Sequence, residues 1–318
     1  MKTEWTTKDI PSQAGRRVLI TGANSGIGWE AALELARRGA EIILPARTEA
    51  KADDAIARIR AQVPGAKLVP EILDLADLNS VHAFARRVAE GFPGQSLDLL
   101  INNAGVMAVP TRELTVDGYE RQFATNYLGP FALTALLFWS IKPQPGSRIV
   151  TIASGVTNQA KIEFDNLQSQ RRYSPMFQAY SQSKLADLIF QQELQRRLTA
   201  IGSPILSTGA HPGYAVTNLQ VTGPGENIPF ILRLGMLVLK PLASQDAAHG
   251  ALPTLFAATA PEATPGGYYG PSGFQELKGH PVPAKITAAA RDVALAQRLW
   301  TESERLTGTR LDLLPASQ

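Results

Sequence analysis

The sequence predicts an α/β fold, in which one doubly wound, mostly parallel sheet is flanked by helices. Apolar runs typical of β-strands alternate with amphipathic helical stretches along most of the 318 residues. This alternation is typical of parallel sheets whose two faces are covered by helices. The composition, with 44% hydrophobic and 19% charged residues, is that of a globular protein with a sizeable core. No internal repeat or low-complexity tract interrupts the pattern, so a single domain is expected.

Seven strands are expected from the apolar runs. The first two, at 17–21 and 41–44, enclose a helix from about 27 to 38 that ends at Gly39. Right-handed crossovers should connect the remaining strands. We expect those strands near 67–73, 97–101, 148–152, 205–210 and 267–270, and an amphipathic helix near 288–307. The predicted domain covers 15–310, between an N-terminal tail at 1–14 and a C-terminal tail at 311–318.

Composition excludes several classes of function. The formal charge is only +3, and the basic residues are scattered without interleaved aromatic residues, so nucleic acid is not an expected partner. The chain has no cysteine, which excludes disulfides, thiolate metal sites and thiol nucleophiles. Its four histidines lack metal-ligand spacing, and no metal is expected. Residues 1–17 lack the apolar core of a signal peptide or membrane anchor, so we expect a cytoplasmic protein.

A glycine-rich segment follows the first predicted strand and opens the first predicted helix. Three glycines in a G-x-x-x-G-x-G spacing allow a tight turn and let backbone N–H groups approach a phosphate. The glycines could instead serve only the turn, but the strand-turn-helix context favours a dinucleotide-binding, Rossmann-type domain. The cofactor-binding residues predicted here are Gly22, Asn24, Ser25, Gly26, Ile27 and Gly28.

Tyr180 and Lys184 lie four positions apart, which places both on one face of a helix. A tyrosine is a poor acid–base group at neutral pH until a nearby positive charge favours its phenolate, and an ammonium one turn away supplies that charge. Taken alone, the pair could equally be solvated helix-surface residues.

The motifs together resemble the short-chain dehydrogenase/reductase family over roughly residues 15–270. Its T-G-x-x-x-G-I-G signature is matched from Thr21 to Gly28. The further matches, in chain order, are Asn102-Asn103-Ala104-Gly105, Asn126, Ser154, the Tyr180/Lys184 pair and Pro212-Gly213. Similarity to the retinol-dehydrogenase-like group of this family rests on Arg47, Asp165-Asn166-Leu167, the separation of Ser154 from Tyr180 and His211-Pro212-Gly213-Tyr214.

The resemblance implies four catalytic residues. Tyr180 would protonate a carbonyl oxygen as hydride arrives, and act as the base in the reverse direction. Lys184 would lower the pKa of that phenol and bind the nicotinamide ribose, while Ser154 holds the substrate oxygen. Asn126 would help to hold a water that relays protons. From the residues alone, Asn126 could be a buried structural amide and Ser154 a turn residue after a strand.

Cofactor choice depends on the end of the second strand. Arg47 follows Gly28 by 19 positions, where an NAD-binding chain would carry an acid, and its guanidinium suits the 2′-phosphate of NADP(H). Arg47 could also be a solvated charge. The resemblance further implies Asp74 beside the adenine, Asn102 and Gly105 beside the adenosine ribose, Thr217 near the nicotinamide amide or pyrophosphate, and contacts from Leu75, Ala104, Pro212 and Gly213. Asp74 could equally cap a helix.

Substrate recognition is expected from a segment at about 214–250. Its apolar part, 228–240, is too short to span a bilayer. It could be a lid, a buried or interfacial helix, or a weak membrane-surface contact. Together with Met107, Val109, Val156, Phe177 and Tyr214, it indicates a hydrophobic ketone or aldehyde and the corresponding alcohol.

The expected function is therefore an NADP(H)-dependent oxidoreductase acting on a carbonyl/alcohol pair. A non-catalytic NADP(H)-binding sensor or scaffold is an alternative, because a fold alone does not fix a function. An epimerase or dehydratase of nucleotide sugars is another, although such enzymes usually need a larger C-terminal domain. The helices that carry Asn126 and Tyr180 have apolar faces that would suit a homo-oligomer, or simply core packing.

Overall fold

A computed structural model describes residues 4–94, 96–214, 245–311 and 313. Its sheet contains eight strands in the order β3-β2-β1-β4-β5-β6-β7-β8. The strands are β1 Arg17–Ile20, β2 Glu41–Ala46, β3 Lys67–Ile72, β4 Leu99–Asn102, β5 Arg148–Ile152, β6 Leu206–Ala210, β7 Tyr268–Pro271 and β8 Pro281–Pro283. The first seven run parallel, and β8 pairs antiparallel with β7.

Helices cover both faces of the sheet. They are α1 Gly26–Arg37, α2 Glu49–Gln62, α3 Leu78–Gly91, α4 Arg121–Phe123, α5 Gly129–Leu137, α6 Ser181–Ala200, α7 Ala247–Thr259, α8 Ala288–Arg291 and α9 Val293–Thr307. Two π-helical turns, Ala124–Leu128 and Pro175–Tyr180, lead into α5 and α6.

Each face of the sheet has its own hydrophobic core. On one face, α3, α5, α6 and α9 contribute Phe84, Phe131, Phe190 and Trp300, and the last two rings stack with centroids 5.7 Å apart. On the other face, α1, α2 and α7 pack their apolar sides against the central strands. The central strands β4 and β5 are buried along their whole length. Burial on both faces explains why these strands read as continuous apolar runs.

The predicted doubly wound, mostly parallel sheet is confirmed, and all seven expected strands are present. The eighth strand, Pro281–Pro283, was not expected because two of its three residues are prolines. Proline is tolerated in an edge strand, where one side of the backbone has no partner. The predicted C-terminal helix is divided into α8 and α9 at Asp292, whose carboxylate accepts a hydrogen bond from the Leu295 N–H at 3.0 Å and so caps α9.

The N-terminal stretch predicted as a tail packs against the domain from Trp5 onward. Trp5 is 3% exposed, and its ring meets that of Phe256 in α7 edge-on at 5.3 Å. Ile10 and Gln13 are buried as well. The segment before β1 therefore extends the core on the α7 face.

Most of the predicted substrate segment lies outside the described residues. Only Tyr214 and residues 245–250 of the 214–250 stretch are described, and the apolar part at 228–240 and Thr217 fall outside. Within the described part of the chain, no helix combines the length and the apolarity that a membrane crossing requires.

Strand order reverses between β1 and β4. From β1 the chain proceeds outward through β2 and β3, and it then returns to β4 on the other side of β1. The loops that leave the carboxyl ends of β1 and β4 therefore diverge to opposite faces of the sheet. Doubly wound sheets bind ligands in the crevice that opens at this switch point.

Candidate active site

A cleft of about 1940 Å³ opens at the carboxyl ends of the parallel strands. Its size exceeds the ~300–1,000 Å³ that is usual for a small-molecule pocket. The turn after β1 and the end of β2 form one end of the cleft. The segments after β4, β5 and β6 form the other end. The start of α6 also lines the cleft. The cleft is therefore large enough for a ligand bigger than a typical small molecule.

The glycine-rich turn shapes the floor of the cleft. Gly22 and Gly26 have φ angles of +68° and +56°, in the left-handed region that favours glycine. A Cβ atom added to Gly28 would lie 2.3 Å from Asn103 Nδ2 and 2.5 Å from the Gly22 carbonyl oxygen. No side chain fits there, so Gly28 lets the start of α1 pack directly against these groups, and the start of α1 lines the cleft. This cradle fits the pyrophosphate of a dinucleotide, which N–H groups at a helix N-terminus bind favourably.

Thr21 joins this turn to the loop after β4. Its hydroxyl oxygen accepts hydrogen bonds from the backbone N–H groups of Asn103 and Ala104, both at 3.0 Å. In return, Asn103 Nδ2 donates to the Thr21 carbonyl oxygen at 3.0 Å. The two neighbouring loops are therefore held together at the strand ends.

Positive charge gathers where β2 ends. Arg47 and Lys51 line the cleft and are exposed, and neither forms an ion pair with another described residue. Arg58 behaves differently, because it pairs with Asp54 at 2.9 Å and donates to the Asn24 carbonyl oxygen at 2.6 Å. Arg58 therefore fastens α2 to the glycine turn, while Arg47 and Lys51 remain available to an anion.

Asp74 and Leu75 follow β3, which neighbours β2, and both line the cleft. Asp74 Oδ1 accepts a hydrogen bond from the Ala76 N–H at 2.9 Å, which forms a local turn. The cap of α3 is Asp77, whose Oδ1 accepts from the N–H groups of Asn79 and Ser80. Asp74 is therefore a cleft-lining turn residue, and Asp77 is the capping residue of α3.

Asn126 lies in the first π-helical turn, behind the cleft wall. Its Oδ1 accepts from the Val106 N–H at 2.7 Å, and its Nδ2 donates to the Val106 carbonyl oxygen and to Ser183 Oγ, both at 2.9 Å. A Cβ added to Gly105 would lie 3.2 Å from Asn126 Oδ1 and 3.6 Å from Lys184 Nζ. The amide is thus a satisfied buried group that also adjoins the lysine across a glycine.

Tyr180 ends the second π-helical turn, and Lys184 lies in the first turn of α6. Both line the cleft, yet Tyr180 is only 7% exposed and Lys184 only 5%. Lys184 Nζ donates to the Ile152 carbonyl oxygen at 2.8 Å and to Asp187 Oδ2 at 2.9 Å. Their burial and these hydrogen bonds distinguish them from a solvated surface pair.

Burial and charge act in opposite directions on Lys184. Burial alone would lower the pKa of the Lys184 ammonium, but the adjacent Asp187 carboxylate and Tyr180 raise it above its ordinary value. Burial also raises the pKa of the Asp187 carboxyl to about 7, against the attraction of Lys184, so Asp187 is ionised above that pH. Lys184 is consequently a cation in this site.

Ser154 follows β5 and faces the same cleft as Tyr180. Its backbone is extended, and its side chain caps the short 3₁₀ helix Gly155–Gln159, where the Val156 N–H lies 3.5 Å from Ser154 Oγ. On the other side, Tyr268 Oη donates to the Ser154 carbonyl oxygen at 3.5 Å. The serine is held at the strand end with its hydroxyl at the cleft wall.

The wall beyond β6 is fixed by a buried histidine. His211 is 1% exposed; its Nδ1 accepts from the Gly213 N–H at 3.3 Å, and its Nε2 lies 2.8 Å from Glu276 Oε2. Because Nδ1 is an acceptor here, Nε2 is the donor to Glu276. Gly213 has a φ of +63°, and a Cβ there would lie 2.3 Å from the Leu277 carbonyl oxygen. The turn after β6 is thus packed under the segment between β7 and β8.

Most of the residues predicted to bind the cofactor line this one cleft. Asn102 does not, because it is buried and its Nδ2 donates to Thr134 Oγ1 at 2.9 Å, and Asn126 lies behind Gly105. Thr217 lies outside the described residues. The predicted residues at the cleft surface are Gly22, Asn24, Ser25, Gly26, Ile27, Gly28, Arg47, Asp74, Leu75, Ala104, Gly105, Ser154, Tyr180, Lys184, Pro212 and Gly213.

Asp187 and Glu276, which contact Lys184 and His211, were not predicted. Asp187 is a buried carboxylate one turn after Lys184, and its i,i+3 spacing was the available signal. Glu276 lines the cleft from far along the chain, on a left-handed backbone with a φ of +57°. No local pattern in the sequence indicates that Glu276 reaches His211.

Comparison with known proteins establishes the family. Residues 16–224 match the family model described as short chain dehydrogenase, which is well over half of the chain. The chain belongs to the short-chain dehydrogenase/reductase family. It is an NAD(P)-binding oxidoreductase, as the glycine turn and the Tyr180/Lys184 pair had indicated, and its relatives place it with the retinol-dehydrogenase-like group.

Several relatives in this family are similar over nearly the whole chain. Human retinol dehydrogenase 13 is 40% identical over 304 residues, covering 94% of this chain and 87% of the relative. Human retinol dehydrogenase 14 is 37% identical over 309 residues, with 92% and 87% covered. Mouse polyprenol dehydrogenase is 38% identical over 304 residues, with 94% and 86% covered.

Two solved structures are similar as well. An uncharacterised protein from Mycobacterium paratuberculosis superposes with a TM-score of 0.78 at 40% identity, covering 97% of this chain and 99% of that one. A short chain dehydrogenase from Burkholderia cenocepacia in complex with NADP superposes with a TM-score of 0.61 at 25% identity, with 80% and 96% covered.

Proposed function

We propose that this protein is an NADP(H)-dependent oxidoreductase that interconverts a carbonyl and an alcohol on an apolar substrate, with Tyr180 as general acid and base. The observation that supports it best is the grouping of three side chains at one wall of the cleft. Tyr180 and Ser154 face the cleft there, and the buried Lys184 ammonium lies one helical turn from the phenol. The glycine cradle at the other end of the cleft fits the pyrophosphate of a dinucleotide.

When bound, the nicotinamide supplies or accepts the hydride. In the reducing direction, Tyr180 gives its phenolic proton to the carbonyl oxygen, and Ser154 donates a hydrogen bond to the same oxygen as negative charge develops on it. Lys184 stabilises the phenolate that remains. In the oxidising direction, the phenolate takes the proton of the alcohol. Asn126 supports the exchange by holding the segment after β4 against α6.

The preference for NADP(H) rests on Arg47 and Lys51. Both cations line the cleft where β2 ends, without an acidic partner among the described residues. A 2′-phosphate would supply that partner, and a guanidinium can bind it through two hydrogen bonds. The NADP complex of the Burkholderia cenocepacia relative supports the same choice.

An apolar substrate is supported by the side chains around Tyr180 and Ser154. Met107, Val109, Val156 and Met176 line the cleft, and Phe177 stands 84% exposed at its rim. An exposed group of apolar side chains beside a cleft commonly marks a binding surface, whereas a single one would not. The names of the relatives, retinol dehydrogenase and polyprenol dehydrogenase, support an alcohol as the substrate that is oxidised.

A panel of apolar aldehydes and ketones with NADPH tests this function, read as loss of nicotinamide absorbance. We expect turnover, and Tyr180→Phe should lower it by about 10²- to 10⁴-fold, the usual contribution of a general acid. NADPH binding to Tyr180→Phe, measured by fluorescence titration, should persist. Activity confined to charged polyols or sugar nucleotides would refute the substrate class, and binding of NADPH without turnover on any substrate would favour a sensor or scaffold.

A further inference from the structure

Asp187 is a buried carboxylate that the proposed reaction does not use. It lies on α6, is 2% exposed, and places Oδ2 2.9 Å from Lys184 Nζ. Burying an ionised carboxylate costs free energy unless a partner compensates it. The partner in this case is Lys184, the lysine that adjoins Tyr180. The burial of Asp187 is therefore compensated by a residue of the candidate active site.

The Asp187 carboxylate helps to fix the orientation of the Lys184 ammonium through a hydrogen bond. An ammonium has three N–H donors and no acceptor. One donor of Lys184 is taken by the Ile152 carbonyl oxygen at 2.8 Å and a second by Asp187. These two acceptors leave one N–H for the cleft, which Lys184 lines together with Tyr180.

The other groups that face Asp187 do not compensate its charge. Tyr127, from the first π-helical turn, and Tyr268, from β7, both approach it, and burial raises the pKa of each phenol above its ordinary value. Tyr127 Oη is hydrogen-bonded to Ser303 Oγ at 2.7 Å. Both phenols are therefore neutral, and among the described residues Lys184 is the cation that Asp187 meets.

We propose that Asp187 is a positioning residue of this site, which orients the Lys184 ammonium, offsets part of its positive charge, and so sets the pH range in which Tyr180 exchanges its proton. This inference rests on the proposed function of Tyr180. The ammonium favours the phenolate form of a neighbouring tyrosine, and a carboxylate beside the ammonium weakens that effect. Asp187 therefore moves the working range of Tyr180 toward higher pH than Lys184 alone would.

The test replaces the carboxylate with a neutral group of the same shape. In Asp187→Asn, the pH midpoint of alcohol oxidation should move down by roughly one pH unit, equivalent to about 1.4 kcal/mol. Asp187→Glu keeps the charge and should keep the midpoint close to that of the unmodified protein. A midpoint in Asp187→Asn that coincides with that of the unmodified protein, or lies above it, overturns the proposal. Asp187→Ser is a second neutral variant if Asp187→Asn does not fold.

A matched control separates this effect from loss of a buried ion pair in general. Asp98 is also 2% exposed and paired with a lysine, Lys142, at 2.8 Å, but it precedes β4, at the amino end of that strand and away from the cleft at the carboxyl ends. Asp98→Asn should lower the thermal stability and leave the pH midpoint unchanged. If Asp98→Asn moves the midpoint as far as Asp187→Asn does, the proposal fails.

A second readout needs neither substrate nor cofactor. The phenolate absorbance of Tyr180 is obtained as the difference between each protein and its Tyr180→Phe partner during a pH titration. Its midpoint should fall by about the same one pH unit in Asp187→Asn, for the same Coulombic reason. A shift here in a protein that turns over no substrate would support the role of Asp187 and refute the proposed function. Turnover of substrate without any shift of the phenolate midpoint would support the proposed function and refute the role of Asp187.

Discussion

Asn126 Nδ2 donates a hydrogen bond to Ser183 Oγ across 2.9 Å, which joins the first π-helical turn to the helix that carries Lys184. The same amide makes two hydrogen bonds with the backbone of Val106, after β4. Ser183 Oγ in turn donates to the Tyr180 carbonyl oxygen at 2.7 Å. One side chain therefore fixes the distance between the loop after β4 and the base of the Tyr180 turn.

Replacing this amide should reduce turnover more than it reduces cofactor binding. In Asn126→Ala we expect kcat to fall by about 100-fold, which is the effect of misplacing a reacting group by about 1 Å. Ser183→Ala removes one of the three hydrogen bonds and should cost less. Steady-state kinetics and NADPH titration measure the two effects, and a normal kcat in Asn126→Ala would contradict the assignment.

Gly28→Ala should disrupt the glycine cradle. The added Cβ would lie 2.3 Å from Asn103 Nδ2 and 2.5 Å from the Gly22 carbonyl oxygen, so one of the two loops must move. We expect a loss of about 1–3 kcal/mol in the free energy of unfolding, as for other overpacked sites, together with weaker NADPH binding. Gly65→Ala is the control, because a Cβ there meets nothing within 4 Å. Equal behaviour of the two variants would refute the steric argument.

Arg47→Ser should change the choice of cofactor. Loss of a charge-assisted hydrogen bond of ~1.5–3 kcal/mol predicts that the KM for NADPH rises by about 10- to 100-fold while the KM for NADH changes little. Arg60 is an exposed arginine on α2 that does not line the cleft, so Arg60→Ser should alter neither the KM for NADPH nor the KM for NADH. Kinetics with both cofactors decide the matter, and a lower KM for NADH than for NADPH in the unmodified protein would exclude the assignment.

Phe177→Ser tests the apolar rim. Phe177 is 84% exposed without substrate, so contact with a long apolar aldehyde would bury it. Burial of a Phe side chain contributes ~1.5–3 kcal/mol, and kcat/KM for such a substrate should fall by about tenfold or more. Trp139→Ser, at a residue that is 63% exposed and does not line the cleft, is the matched control. A selective effect on small polar aldehydes would argue against an apolar substrate.

Glu276→Gln should make the stability less dependent on pH. The hydrogen bond from His211 lowers the pKa of the Glu276 carboxyl below its ordinary 4.5. A lowered carboxyl pKa means that the ionised form stabilises the fold above that pH, and that the contribution is lost as the pH falls through the lower, folded-state value. Thermal unfolding should therefore show the largest gap between the two proteins at neutral pH and a narrowing gap below pH 4.5. A gap of constant size would indicate that packing alone is involved.

The features that the sequence predicted correctly depend on short-range patterns. The spacing of Gly22, Gly26 and Gly28 reflects one turn, and the four-residue separation of Tyr180 from Lys184 reflects one helical face. Apolar runs located the strands because parallel strands are buried on both faces. Local patterns were therefore enough to predict the fold and to bring these residues to one cleft, while their roles stay a prediction.

The unpredicted features depend on contacts between distant segments. Pro281–Pro283 becomes a strand only because β7 offers it an antiparallel partner. Glu276 reaches the cleft because its segment folds back over Gly213, and neither residue signals this in the sequence. The packing of Trp5 against Phe256 in α7 likewise joins residues far apart in the chain. Each case is decided by tertiary structure, which overrides local preference.

The hydroxyl of Thr21 bears on how tightly a cofactor can bind. By accepting two N–H groups of the loop after β4, it holds that loop in place beside the glycine turn. Ordering a protein segment on binding costs conformational entropy, which reduces the affinity. A dinucleotide that enters this cleft therefore meets loops that are already ordered. Less of its binding free energy is spent on ordering them, and the affinity is higher.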